Sequence, residues 1–220
     1  MAKTVPTKPL LIMLYGFPGA GKTYFARQFC ESVQAAHVQG DRIRSELFEN
    51  PRYDKEENQV VMQLMNYMAE EFLNAGISVV YDTNAARAIQ RHALREVARK
   101  SGAKPLLVWF QVDTESSYLR SNKRDRRKSD DRYSVPLNRP MFNDQAGQMQ
   151  NPVTTEDYIV ISGKHTYQTQ YAAVSHKLRE LGLYGMDDGN AHMVKPGLVN
   201  LVPSQQAGRV DMKRRNIMIR

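Results

Sequence analysis

The residues with the most evident chemical purpose stand close together near the start of the sequence, in Leu10–Thr23, LLIMLYGFPGAGKT. The spacing Gly16-x-x-x-x-Gly21-Lys22-Thr23 follows an apolar run and precedes a segment of helical periodicity, the order of a phosphate-binding loop. Gly16, Gly19 and Gly21 permit a tight backbone curl in which successive N–H groups converge on an anion. Phe17, Pro18 and Ala20 complete that loop, and Tyr24 follows it on the first turn of a helix whose positive end adds to the nest. Lys22 can reach the β- and γ-phosphates of a nucleotide, and the Thr23 hydroxyl can ligate the magnesium that accompanies them. ATP and Mg2+ are therefore the cofactors this stretch predicts.

A loop of this kind works only between a buried strand and a helix. The apolar runs predict strands over Leu10–Tyr15, His37–Gln39, Ile77–Tyr81, Leu106–Val112 and Tyr158–Ser162. Helical spacing predicts helices from Lys22 to Ala35, Arg42 to Phe48 and Lys55 to Ala75, the last with Val61, Leu64, Met65, Met68 and Phe72 inward. A fourth helix is read with Ile89, Ala93, Leu94 and Val97 inward. Its Arg87, Arg91, Arg95 and Arg99 then form a solvated stripe. Asp113 caps a short helix, and a final helix turns Tyr167, Tyr171, Val174, Leu178 and Leu181 to the core. Strands alternating with helices imply an α/β fold: a five-stranded parallel sheet with helices on both faces, a three-layer sandwich. Ligands of such sheets lie beyond the C-terminal strand ends, where the phosphate loop, Asp41 and Asp82 all fall.

With those elements placed, the chain resembles P-loop kinases of the polynucleotide 5′-hydroxyl kinase and zeta-toxin type. The resemblance rests on GFPGAGKT, on Asp41-x-x-Arg44, on Asp82-Thr83-Asn84 and on the arginine-rich LRSNKRDRR, and it covers residues 10–181. It implies that Asp41 takes the proton of an acceptor hydroxyl, where the residues alone offer a helix N-cap as the plainer role. It implies that Arg44 grips a phosphate on the acceptor, and that Asp82 and Asn84 help to place the acceptor. Asp82 can also share the magnesium with Thr23. The basic stretch Arg120–Arg139 corresponds to the lid of these kinases, with Arg120 on ATP and Arg124 and Arg127 on the transferring phosphoryl group. The acceptor implied first is a polynucleotide 5′-hydroxyl, and a nucleotide-sugar or other small metabolite second.

Composition limits the alternatives. At 220 residues the chain can bury one good core, read as a kinase domain over 10–181 with a lead-in over 1–9 and an extension over 182–220. A formal charge of +8 favours anionic partners, for which ATP alone suffices, nucleic acid being a further one. The single cysteine, Cys30, is read as a core thiol, and with no secretory or membrane-spanning run the expectation is cytoplasmic. A motor ATPase usually closes an apolar strand with two acids, whereas here a lone Asp82 precedes Thr83. A binding module with a vestigial site would not need Lys22, Thr23, Asp41 and Asp82 together. The sequence leaves the oligomeric state open.

Overall fold

The computed structural model describes residues 3–125, 127 and 131–184. Its centre is β1 (Leu10–Tyr15), whose six residues are all buried because helices cover both faces of the sheet. The other strands are β2 (Ala35–Gln39), β3 (Ser78–Asn84), β4 (Lys104–Gln111) and β5 (Tyr158–Ser162). They pair in the order β2-β3-β1-β4-β5, and every pairing is parallel. The helices are α1 (Lys22–Ser32), α2 (Gly40–Leu47), α3 (Lys55–Asn74), α4 (Ala88–Lys100), α5 (Thr114–Asn122), α6 (Arg139–Gly147) and α7 (Tyr167–Glu180).

Two cores flank the sheet. On one face Leu10, Ile12, Leu14, Val80 and Val108 meet Phe25 and Phe29 of α1 and Val174 and Leu178 of α7. On the other, Leu11, Met13, Val79 and Tyr81 meet Val61, Met65 and Leu73 of α3 and Leu94 and Ala98 of α4. The alternation along β1 thus feeds both layers. Between β1 and β3 the register slips, from Met13 opposite Tyr81 to Leu14 opposite Asn84. Asp82 and Thr83 are the surplus residues of that bulge, which re-aims them at the end of the sheet.

Several sequence expectations change here. The arginine stripe of α4 is only partly solvated: Arg87 and Arg99 are exposed but Arg91 is fully buried, while Ile89 is 75% exposed and Ala93 lies on the surface. Arg91 makes a two-pronged pair with Glu156, at 2.7 and 3.1 Å. It also donates to the carbonyls of Ala85, Ala86, Gln150 and Asn151. Such a set of acceptors makes the burial of a guanidinium tolerable. Asp41 is not a cap either. The chain enters α2 two residues earlier, with Gln39 as N-cap and Asp41 inside the first turn.

Helix α6 falls between the short helix capped by Asp113 and the last predicted strand, where the sequence predicts no helix. Asn138 caps it by accepting from the Met141 N–H, and Pro140 sits in its first turn. The described part of the lead-in is tied to the domain: Thr4 bridges to Val33, and Thr7 bonds to Leu183 and Gly182. The lid reading falls partly on residues 126 and 128–130, and the C-terminal extension on 185–220. Both sets lie outside the described residues.

Candidate active site

The loop between β1 and α1 is built as its glycines predict. Gly19 and Gly21 sit at φ of 80° and 95°, the left-handed region that favours glycine. Gly19 is also a close approach, since a Cβ there would run into the Ser117 carbonyl and the Ser121 N–H of α5. The loop closes on itself through Ala20 N–H to the Phe17 carbonyl, at 3.1 Å. Its entry is held by Gly16 N–H donating to Asn84 Oδ1, at 3.3 Å. Phe17 packs on Phe142 of α6, which stacks edge-on against Tyr118 of α5. Pro18 and Ala20 are buried beneath the loop.

Beside it opens a cavity of about 500 Å3 lined by Gly19, Lys22, Thr23, Tyr24, Arg120 and Arg124, among others. Lys22 Nζ donates to the carbonyls of Gly16 and Phe17, at 2.8 and 2.9 Å. Burial, and next the nearby Arg124 charge, pull its ammonium down to about 8 against the attraction of Asp82 and Asp41. Asp41 is pushed the other way. Burial, then the Asp82 carboxylate, raise its pKa, against the pull of Arg124, Arg44 and Lys22. Lys22, Asp41, Arg44, Asp82 and Arg124 come from three separate elements, α1, α2 and β3, and the segment after α5, yet they act on one another electrostatically.

Asp82 is bound at both oxygens. Thr23 Oγ1 donates to Oδ1 at 3.2 Å, and His37 Nε2 lies 2.9 Å from Oδ2. No signal in the sequence pointed to His37, an isolated histidine in a short strand. Among the described residues no cluster of three or more His, Cys, Asp or Glu could hold a metal alone. The donors present, one hydroxyl and one carboxylate beside an anion nest, do fit magnesium, which usually takes few protein ligands and shares nucleotide phosphates.

The lid arginines separate. Arg124 is half-buried at the cavity and donates to the Val135 carbonyl at 2.9 Å. Arg120 donates to the Gly163 carbonyl at 3.0 Å, joining α5 to the turn after β5. Arg127 is exposed and outside the cavity lining. Arg44 is engaged within the fold, though near enough for its charge to act on Asp41. It is buried and bonded to Glu57 Oε2 at 3.0 Å and to Asn58 Oδ1 at 2.5 Å, with Tyr53 over its guanidinium. Burial opposes ionisation of Glu57, but the N–H groups of Arg52 and Tyr53 and the Arg44 guanidinium hold its pKa below the usual range.

A family model described as an AAA domain matches residues 11–152, the span from β1 to just before β5. The chain belongs to that AAA-domain family. Three solved structures share this AAA domain's fold at low identity. One is a candidate kinase from Chloroflexus aurantiacus J-10-fl, with a TM-score of 0.62 and 11% identity over 79% of this chain and 97% of that one. Another is a gluconokinase from Sinorhizobium meliloti 1021, at 0.57 and 14% over 79% and 93%. The third is the Mycobacterium tuberculosis APS kinase CysC in complex with AMPPNP and APS, at 0.54 and 17% over 79% and 99%. No curated protein sequence matches the chain. The AAA domain therefore has the α/β fold of P-loop kinases, a five-stranded parallel sheet with helices on both sides. No helix among its described residues is long and apolar enough to cross a membrane.

Proposed function

We propose that this protein is an ATP- and Mg2+-dependent kinase that transfers the γ-phosphate to a hydroxyl group. The observation that carries the reading is the convergence of Lys22, Thr23, Asp82, Asp41 and Arg124 at one end of the sheet. In it, the loop amides and Lys22 bind the nucleotide phosphates, and Arg120 borders the nucleotide. Thr23 and Asp82 hold magnesium, which when bound offsets phosphate charge. Asp41 orients the acceptor hydroxyl and takes its proton on a carboxylate oxygen as the new O–P bond forms. The bond from the γ-phosphorus to the bridging oxygen breaks, and ADP leaves. Arg124 faces the charge spread over the transferring phosphoryl oxygens. A raised pKa suits Asp41 to this work, because a base poised nearer neutrality both accepts and releases a proton readily.

The acceptor proposed first is a 5′-hydroxyl of a polynucleotide, on the strength of the Asp41-x-x-Arg44 and Asp82-Thr83-Asn84 spacing. A small hydroxylated metabolite is the second reading. It is favoured by the pairing of Arg44 with Glu57 and Asn58, which leaves that guanidinium committed within the fold. γ-Labelled ATP incubated with 5′-hydroxyl oligonucleotides, nucleosides and sugars tests both. Label on oligonucleotide supports the first and label on a small acceptor the second. Label found only in free phosphate, or none released at all, refutes the kinase reading.

A further inference from the structure

We propose that His37 is a positioning residue for the magnesium site, acting through Asp82. His37 lies on β2 opposite Val80 of β3, so Asp82, two residues on, is its diagonal neighbour on the same sheet face. That neighbour is a carboxylate only 4% exposed, at the point where the β1–β3 register breaks. Asp82 keeps its pairing with Gln39 of β2 but has no partner on β1, and its carboxylate can turn about its own side-chain bonds unless both oxygens are held.

Among the described residues each oxygen has one hydrogen-bond partner. A carboxylate only accepts, so the 2.9 Å contact is His37 Nε2–H donating to Oδ2. Oδ1 accepts the Thr23 hydroxyl hydrogen, which leaves the lone pairs of Thr23 Oγ1 facing away from Asp82. Those lone pairs are what a magnesium ion needs. The imidazole thus fixes the carboxylate, and the carboxylate fixes the hydroxyl. His37 is not core filling: its ring is 22% exposed and borders a groove with Arg42, Ile43 and Glu46. Outer partners that orient a ligating group typically govern metal affinity by about 10- to 100-fold.

The inference rests on the nucleotide site proposed above, and equilibrium binding separates the two. The affinity of a fluorescent non-hydrolysable ATP analogue is measured in EDTA and across a Mg2+ titration, for the parent, His37→Leu and His37→Gln. His37→Leu should lose at least about tenfold of the affinity gained from Mg2+ while binding in EDTA stays unchanged. His37→Gln, which keeps a donor near the Nε2 position, should recover most of it. Melting curves identify any variant that is merely unfolded. An equal Mg2+ gain in His37→Leu and the parent overturns the role of His37 alone. An equal loss with and without Mg2+ does the same, since it marks a general disturbance. A parent protein that binds no nucleotide overturns this inference together with the kinase reading.

Discussion

Replacing Asp41 by Asn tests chemistry and architecture in one variant. Asp41 lies in the first turn of α2, and Gln39 holds the cap position, so no capping bond is lost. What is lost is attraction between a carboxylate and the helix N-terminus, worth about 0.3–1 kcal/mol. The pKa shift works the other way. Burial, then Asp82, raise the folded-state pKa of Asp41 above its unfolded value, so protonation favours the folded state. Stability from this group is greatest below the unfolded pKa of about 3.9 and declines as pH rises through the raised folded value. At neutral pH Asn removes that penalty. The two effects oppose each other, and the melting temperature should stay within about 2–4 °C of the parent, roughly 1 kcal/mol for a domain of this size. Transfer should fall by about 10²–10⁴-fold, or roughly 3–5 kcal/mol of barrier. In the parent, kcat/KM should rise with pH as Asp41 ionises and fall again as Lys22 loses its proton near about 8. The variant should lose the acidic limb and keep the alkaline one. Label transfer across the pH range, with melting curves beside it, decides the matter. Unchanged transfer removes Asp41 from the chemistry, and a large drop in melting temperature makes its role structural.

Gly19→Ala should abolish binding of an ATP analogue and cost about 1–3 kcal/mol of stability, because a Cβ at φ 80° meets α5 backbone; calorimetric titration and melting check it. Arg91→Met should destabilise by about 3–5 kcal/mol in urea unfolding, since Glu156 keeps Arg95 and the Val153 N–H but loses its two-pronged partner, and the carbonyls of Ala85, Ala86 and Gln150 lose a donor. Adding Glu156→Gln should recover part of that loss; full additivity of the two changes would deny that the pair is coupled.

The phosphate loop and the sheet were legible in the sequence because their signals are contiguous. Leu10–Tyr15 is buried on both faces, so it is apolar throughout, and the glycines needed for the curl follow within one short motif. Long-range pairings leave no such trace. Arg91 sits at four-residue spacing among surface arginines, and only Glu156, 65 residues away, makes it a core residue. Periodicity read on hydrophobic letters alone places Leu94 and Val97 of α4 against the core as the structure does, but it also takes the exposed Ile89 and Ala93 for core residues. Asp41 looked like a cap because Gly40 resembles a strand's end, yet Gly40 is already helical. Helix α6 was hidden by its composition, in which Phe142 is the one fully buried side chain and Pro140 reads as a breaker. His37 offered nothing to sequence reasoning, since its meaning comes from a partner on the neighbouring strand.

The buried Arg91 cluster also sets how freely this scaffold can be remade. By binding the carbonyls of Ala85 and Ala86 on one side and those of Gln150 and Asn151 on the other, it pins the return of the chain beside the exit from β3. The stretch from the end of β4 to Gln150 is therefore an excursion whose foot is fixed independently of its contents. Closing a longer excursion adds only about 0.6 kcal/mol for each doubling of its length. Exchanges between Asn122 and Gln150 must keep Phe142, which packs on Phe17 of the phosphate loop, and Arg124 at the cavity, so the exposed positions around them are where this segment can be remade without disturbing β1.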